Sequence, residues 1–191
     1  FQPDSDRPWI KKVVNYCATS HHSIQLEASQ LAQTLEEATI ARDLPGMADV
    51  DTSLYLFCRE IRKDATVAIS GECADEVFGG YPWFYRQDMI QAESFPWSNS
   101  VKMRSEFLSP EIRHKIKPDD YVLRRYKEAI DEVPRLKGED AISARMREIF
   151  YLSLTRFMLT LLDRKDRMSM ASGLEVRVPF CDHRLVEYVW N

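Results

Sequence analysis

Cysteine is scarce in this sequence, and its spacing excludes two kinds of structure. The 191 residues contain four cysteines, and none belongs to a C-x-x-C pair: they are Cys17, Cys58, Cys73 and Cys181. Disulfide-stabilised small domains and zinc sites both show characteristic, closely spaced cysteine patterns. We therefore expect four reduced thiols, as in a cytoplasmic protein, rather than a disulfide framework or a zinc site.

The sequence also lacks an excess of positive charge and a long apolar run. It has 26 Lys and Arg residues against 30 Asp and Glu, a formal net charge of −4. No basic face would therefore dominate a nucleic-acid-binding surface. No run approaches the ~20 apolar residues that cross a bilayer, and no signal-peptide pattern opens the chain. We expect neither nucleic acid nor a membrane as a partner.

Both ends of the chain lack the signals that begin and end a helix. The chain starts F-Q-P-D without Met, and it stops at L-V-E-Y-V-W-N, inside an amphipathic pattern. We therefore expect residues 1–191 to be part of a longer protein.

The amino-terminal portion, residues 1–80, alternates between helical and strand patterns. Apolar positions at helical spacing follow Asp6, and two further helical patterns flank the D-L-P-G breaker at residues 43–46. H-H-S-I-Q-L, residues 21–26, is a candidate strand. A-T-V-A-I-S, residues 65–70, is apolar at consecutive positions, which is typical of a strand buried on both faces. This order predicts an α/β fold with part of an open parallel sheet.

The second portion, residues 81–191, has mostly helical patterns. A Ser-Pro helix start occurs at Ser109, and a long pattern from residues 140 to 162 becomes almost wholly apolar. We expect that pattern to form a buried central helix, with a membrane span as the weaker alternative because Arg156 interrupts it. The aromatic run at residues 81–86 is predicted to pack in the core.

The stretch S-G-E-C-A-D-E-V-F-G-G-Y, residues 70–81, follows the predicted strand directly. Ser70 and Gly71 would then lie at the carboxyl end of a parallel strand, where ligands bind in open α/β sheets. Gly71 has no Cβ, so a phosphate or ribose could approach its backbone closely. These two residues are candidates for contacts with a nucleotide.

Three acids follow within the same stretch. In a short helix ended by Gly79, Glu72, Asp75 and Glu76 would project to roughly one side. Clustered carboxylates suit Mg²⁺, which proteins bind through one or two carboxylates together with substrate phosphates. The alternative is a solvated helix start whose acids are stabilised by the helix dipole. Residue patterns alone do not choose between the two.

A second charged stretch, residues 163–185, follows the apolar helix. Asp166, Arg167 and Arg177 belong to it and have two interpretations. They could form part of a network of ion pairs that holds two parts of the fold together. Alternatively, Arg167 or Arg177 could bind a carboxylate or phosphate through the guanidinium fork.

These two stretches, S-G-E-C-A-D-E-V-F-G-G-Y and D-R-M-S-M-A-S-G-L-E-V-R-V-P-F-C-D, closely resemble the glutamine-hydrolysing asparagine synthetase family. The resemblance extends over essentially the whole chain, and A-R-D-L-P-G-M-A-D-V-D-T-S-L is similar to the family's bacterial members. It implies part of an ATP-pyrophosphatase (adenine nucleotide alpha hydrolase-like) domain. The implied reaction is ATP-dependent amidation of aspartate through β-aspartyl-AMP, with ammonia supplied from glutamine by a glutaminase domain.

The resemblance also implies a role for each residue of the acidic stretch. Ser70 and Gly71 correspond to the ATP-contacting pair, and Glu72 to the catalytic carboxylate that acts in adenylate formation and aminolysis. Asp75 corresponds to the carboxylate that binds magnesium and pyrophosphate, with Glu76 as a supporting metal-site acid. ATP and Mg²⁺ are the implied cofactors, and a homodimer is an open possibility.

The chain departs from the family pattern in several places. The S-G-G-x-D-S pyrophosphatase loop, the glutaminase domain and a downstream Lys-bearing segment are absent from residues 1–191. We expect the first two to precede Phe1 and the third to follow Asn191, so that the chain alone does not turn over ATP. D-V-D-T-S replaces a Thr/Arg cluster of some relatives, which leaves the aspartate contacts open. A β-lactam synthetase-like ligase and a non-catalytic helical interaction module are the alternative functions.

Overall fold

The computed structural model describes residues 6–98 and 100–190, and these form a mostly helical α/β structure. The helices in chain order are α1 (Arg7–Cys17), α2 (Ala28–Arg42), α3 (Ala48–Arg62), α4 (Ala74–Phe78), α5 (Gln87–Ile90), α6 (Val101–Ser105), α7 (Pro110–Ile116), α8 (Pro118–Asp131), α9 (Ala141–Leu152), α10 (Met158–Ala171) and α11 (His183–Val189). The strands are β1 (Val67–Ile69) and β2 (Glu175–Arg177). Single 3-10 turns cover Pro82–Phe84 and Pro179–Cys181, and a π-helical turn, Ser153–Phe157, joins α9 to α10.

Local capping explains several of the helix boundaries. The Ser109 hydroxyl accepts a hydrogen bond from the Ile112 amide at the start of α7, with Pro110 in the first helical position. The Asp140 carboxylate accepts from the amides of Ile142 and Ser143 at the start of α9. These boundaries confirm the helix predicted at Ser109 and the long helix predicted from residue 140.

The strand predictions are confirmed only in part. β1 and β2 pair in parallel, with Ile69 opposite Arg177, so the predicted parallel sheet exists as two strands in the described part of the chain. Residues 21–26 form no strand, because no neighbouring segment pairs with them there. The prediction that β1 is buried on both faces is wrong. Ile69 is 78% exposed, because no described helix covers that face of the pair.

A continuous helical rod, α9 with the π-helical turn and α10, connects the core to the sheet. Trp83, Phe84 and Ile149 form the main apolar cluster, which confirms the core role predicted for the aromatic run. The Trp83 indole N–H donates to the Ser153 hydroxyl in the π-helical turn at 3.3 Å. α10 continues from this cluster and packs against α2, α3 and β2. The rod therefore fixes the position of α10 relative to the end of β1.

The membrane alternative for this rod is not supported. Within residues 6–98 and 100–190, no helix is both long and apolar enough to span a bilayer.

Substitution of Leu152 tests the contribution of the rod to stability. Leu152 is fully buried against Tyr126 and Ala129, so Leu152→Ala should lower the free energy of unfolding by about 2–5 kcal/mol by leaving a cavity. Leu159→Ala is the matched control, because Leu159 is on the same rod and is 57% exposed. Urea unfolding of both variants measures the difference. Equal losses would contradict the assignment of Leu152 to the core.

Candidate functional site

The candidate site begins where β1 ends. The Ser70 amide donates to the Arg177 carbonyl at 2.9 Å and so extends the pairing with β2 by one bond. The Ser70 hydroxyl accepts from the Glu72 amide at 3.4 Å. A Cβ added to Gly71 would meet no protein atom within 4 Å in the described structure. The backbone at Gly71 is therefore open to a molecule from outside the chain.

The two glycines after the acidic stretch have different physical roles. Gly79 ends α4 in the left-handed region at φ 74°, and its amide donates to the Asp75 carbonyl. The side chain of Asp75 packs so close to Gly80 that a Cβ there would overlap its carboxylate. Gly79 therefore stops the helix as predicted, and Gly80 makes room for the Asp75 side chain.

The three acids of the stretch do not share one helix face, contrary to the prediction. Cys73 adopts a left-handed conformation at φ 77° and caps α4, which begins at Ala74 rather than at residue 72. Glu72 consequently precedes the helix, Asp75 is exposed, and Glu76 is buried. Over residues 6–98 and 100–190, no three His, Cys, Asp or Glu side chains are arranged to hold a metal ion.

Glu76 lies in a different environment from the other two acids. It is 1% exposed, and its Oε1 accepts a hydrogen bond from the Tyr81 hydroxyl at 2.7 Å. Burial raises the pKa of the Glu76 carboxyl, and the Tyr81 hydrogen bond opposes this only in part. Burial and the nearby Glu76 raise the pKa of Tyr81, which remains a hydrogen-bond donor.

Glu72 faces a cavity of about 440 Å³ between α3 and α10. The cavity is lined by Leu26, Val50, Ser53, Leu54, Phe57, Glu72, Tyr81, Leu161, Arg164 and Lys165. The Lys165 ammonium lies 3.1 Å from Glu72 Oε1. Arg164 lies 3.9 Å from the buried Asp51 carboxylate on α3. The cavity thus combines one carboxylate with two cations, which suits an anionic or zwitterionic ligand.

The other predicted site residues lie elsewhere. Arg167 donates to Asp163 at 2.8 Å and to Asp43 at 2.7 Å, and it holds the pKa of Asp163 below its usual range. Arg177 pairs with Glu175 at 2.8 Å on the exposed strand β2. Asp166 is exposed. None of the three predicted residues lines the cavity that contains Glu72. The Arg167–Asp43 pair links α10 to the end of α2, as the structural interpretation expects, whereas the Arg177–Glu175 pair is local to β2.

Sequence reasoning missed Lys165, which contacts Glu72 directly. A signal was available, because Leu161, Arg164 and Lys165 are spaced i, i+3 and i+4 on one side of α10. That spacing indicates that the three residues share one face of α10, but it does not predict which other segment packs against that face. Ser53 and Tyr81 also line the cavity without having been predicted to do so.

Two of the four cysteines are bonded, which corrects the prediction of four reduced thiols. Cys73 and Cys181 form a disulfide with Cα atoms 5.8 Å apart and a sequence separation of 108. Cys17 and Cys58 are free. The pairing could not be predicted from spacing, because the parallel contact between β1 and β2 brings the two distant segments together. The bond links the acidic stretch to the turn that follows β2.

Comparison with known proteins gives a match over the whole chain. The sequence profile of the family described as asparagine synthase matches residues 1–191. The chain is 52% identical over 191 residues to glutamine-hydrolyzing asparagine synthetase 3 of Bacillus subtilis (strain 168), covering 100% of this chain and 31% of that relative. It is 26% and 25% identical over 182 residues to the glutamine-hydrolyzing asparagine synthetases of Rattus norvegicus and Homo sapiens, covering 93% of this chain and 23% of each relative. The chain therefore spans less than a third of the length of these relatives.

The buried carboxyl of Glu76 should make stability depend on pH. The pKa of Glu76 in the folded protein lies above the ordinary value of 4.5. The stability that protonated Glu76 contributes is therefore fully present below pH 4.5, and it is lost as pH rises through the pKa of the folded state. Glu76→Gln keeps an acceptor oxygen for Tyr81 and removes the titration. We expect equal stability of variant and wild type at pH 4 and a relative gain for the variant at pH 7.

Urea unfolding of both proteins across this pH range measures the difference. Glu36→Gln is the control for replacing a carboxylate, because Glu36 is exposed on α2, and its stability should stay close to that of wild type. A Glu76→Gln variant that is less stable than wild type at pH 7 would contradict the assignment.

Reduction of the Cys73–Cys181 disulfide should destabilise the protein. A bond that closes so long a loop stabilises by about 2–4 kcal/mol. We expect a reductant to lower the unfolding midpoint of wild type but not that of Cys181→Ser. Cys17→Ser should behave as wild type, because Cys17 is a free, exposed thiol. Titration of four free thiols in the native, unreduced protein would show that the bond does not form.

Proposed function

The chain belongs to the asparagine synthase family, and we propose that it is part of the synthetase domain of a glutamine-hydrolysing asparagine synthetase. In this proposal, the β-carboxylate of aspartate attacks ATP to give β-aspartyl-AMP and pyrophosphate. Ammonia then attacks the activated carbonyl, and AMP leaves as asparagine forms. The glutamine-hydrolyzing relatives support a glutaminase domain of the longer protein as the source of ammonia.

The observation that carries the proposal is the position of Glu72. It follows the carboxyl end of a parallel strand and lines a cavity that also contains Arg164 and Lys165. Ligands of open α/β sheets bind at such strand ends. Glu72 would accept a proton from the attacking amine as the amide bond forms, and general base catalysis of this kind contributes about 10²–10⁴-fold. The ion pair with Lys165 also argues against the fully solvated Glu72 that a helical interaction module predicts.

The residues beside Glu72 would bind the cofactors. The open backbone at Gly71 suits contacts with ATP, and Ser70 immediately precedes it at the strand end. The exposed Asp75 carboxylate fits the usual mode of Mg²⁺ binding, in which one or two carboxylates act together with substrate phosphates. The bound ion would neutralise phosphate charge. Glu76 would support this site from its buried position with Tyr81 rather than as an exposed ligand.

The remaining parts of the proposal concern the longer protein. The two-stranded sheet would be part of an ATP-pyrophosphatase sheet, the protein would act in the cytoplasm, and a homodimer is one possible assembly. Because S-G-G-x-D-S is absent from residues 1–191, the chain alone should not turn over ATP. Because cytoplasmic reductants disfavour disulfides, the Cys73–Cys181 bond would be subject to reduction in that compartment.

Pyrophosphate release tests the proposed reaction. In the full-length protein that contains this chain, with ammonia as nitrogen donor, release should depend on aspartate. Glu72→Gln should lower its rate by about 10²-fold or more. Asp75→Asn should lower the rate and raise the Mg²⁺ concentration needed, because one carboxylate ligand is lost. Glu36→Gln, an exposed substitution away from the cavity, should have no effect.

The other outcomes are equally informative. Unchanged release in both variants would remove these carboxylates from the mechanism. Release with another carboxylic acid but not with aspartate would favour a β-lactam synthetase-like ligase. Absence of release with any carboxylic acid, together with no response to Mg²⁺, would favour the helical interaction module.

A further inference from the structure

The Lys165–Glu72 ion pair differs from the other lysine–carboxylate pair in the described residues. Its side chains are 16% and 27% exposed, and its members come from α10 and from the end of β1. The other pair, Lys63–Glu60, is 66% and 49% exposed and joins the last turn of α3 to the residue that follows it. Local, exposed pairs of that kind contribute little to stability. The Lys165–Glu72 pair is a tertiary contact inside the cavity.

Partial burial gives this pair a desolvation cost that an exposed ion pair does not have. Removing an ammonium and a carboxylate from water costs free energy that can exceed their mutual attraction. Lys165 also lines the cavity together with Leu54 and Phe57 of α3. The Lys165 ammonium is thus held between α3 and the acidic stretch. It contacts Oε1 of Glu72, and the second carboxylate oxygen can accept a hydrogen bond from another donor.

We propose that Lys165 is a positioning residue that fixes the Glu72 carboxylate at the cavity. The ammonium holds one carboxylate oxygen, and the other oxygen is left for the reacting group. This inference rests on the proposed function, because it gives Glu72 a catalytic role. It extends that function by assigning a role to a lysine that does not have to touch the substrate. It predicts that replacement of Lys165 lowers the turnover rate rather than the affinity for substrate.

A double-mutant cycle in the full-length protein tests the proposal. The variants are Lys165→Met, Glu72→Gln and the double variant, with ammonia-dependent turnover of aspartate and ATP as the readout. We expect Lys165→Met to lower kcat by about 10–10²-fold, the scale of a misplaced catalytic group, with the KM values for aspartate and ATP nearly unchanged. The double variant should be no slower than Glu72→Gln, because Lys165 acts through Glu72.

Two further variants serve as controls for the cycle. Lys165→Arg keeps the positive charge and should recover part of the lost kcat. Lys63→Met removes the exposed lysine of the other pair and should leave kcat unchanged. Circular dichroism of each variant establishes that it folds. If Lys165→Met does not fold, Lys165→Gln takes its place in the cycle, because it is polar but lacks the charge that pairs with Glu72.

Two kinetic outcomes would overturn the proposal. A raised KM with unchanged kcat in Lys165→Met would mean that Lys165 binds substrate directly. A double variant slower than Glu72→Gln by the full Lys165→Met factor would mean that the two residues act independently. If wild type has no aspartate activity, the proposed function fails and thermal unfolding still tests the pair. If the Tm shifts of the two single variants add up to the shift of the double variant, the ion pair is contradicted. A shift of the double variant smaller than that sum would support the pair.

Discussion

Parallel pairing between β1 and β2 is the contact on which the candidate site depends. It places Val67 opposite Glu175 and Ile69 opposite Arg177, and the Ser70 amide extends it by one bond. β2 follows α10 closely in the chain, so the pairing also fixes α10 beside the end of β1. The contact between Lys165 and Glu72 and the disulfide after β2 both follow from this arrangement.

The three acids of the site have different electrostatic surroundings although they are close in sequence. Glu72 forms an ion pair with Lys165, Asp75 is exposed to solvent, and Glu76 is buried and accepts a hydrogen bond from Tyr81. Three like charges on one helix face would repel one another. The left-handed Cys73 places Glu72 before the helix. Repulsion remains, because the charges of Asp75 and Glu72 add to the effect of burial in raising the pKa of Glu76. Each carboxylate is thereby available for a different task in the proposed reaction.

The aromatic core and the site are physically connected through Tyr81. Its ring stacks on Trp83 and meets Phe157 edge to face, while its hydroxyl donates to Glu76. Phe157 belongs to the π-helical turn, an element that often occurs at functional sites. Packing of the helical rod therefore sets the position of the buried carboxylate, and the same rod carries Lys165 to the cavity. Core and site are held by one element.

The sequence by itself determined the local structure, including the helix starts at Ser109 and Asp140 and the stop at Gly79, because capping and backbone preference act over a few residues. It also located the acidic stretch at the end of a strand. It did not determine the exposure of β1 or the separate environments of the three acids. Only the tertiary structure decided that Glu72 meets Lys165, because a contact between distant segments depends on strand register and helix packing rather than on spacing along the chain.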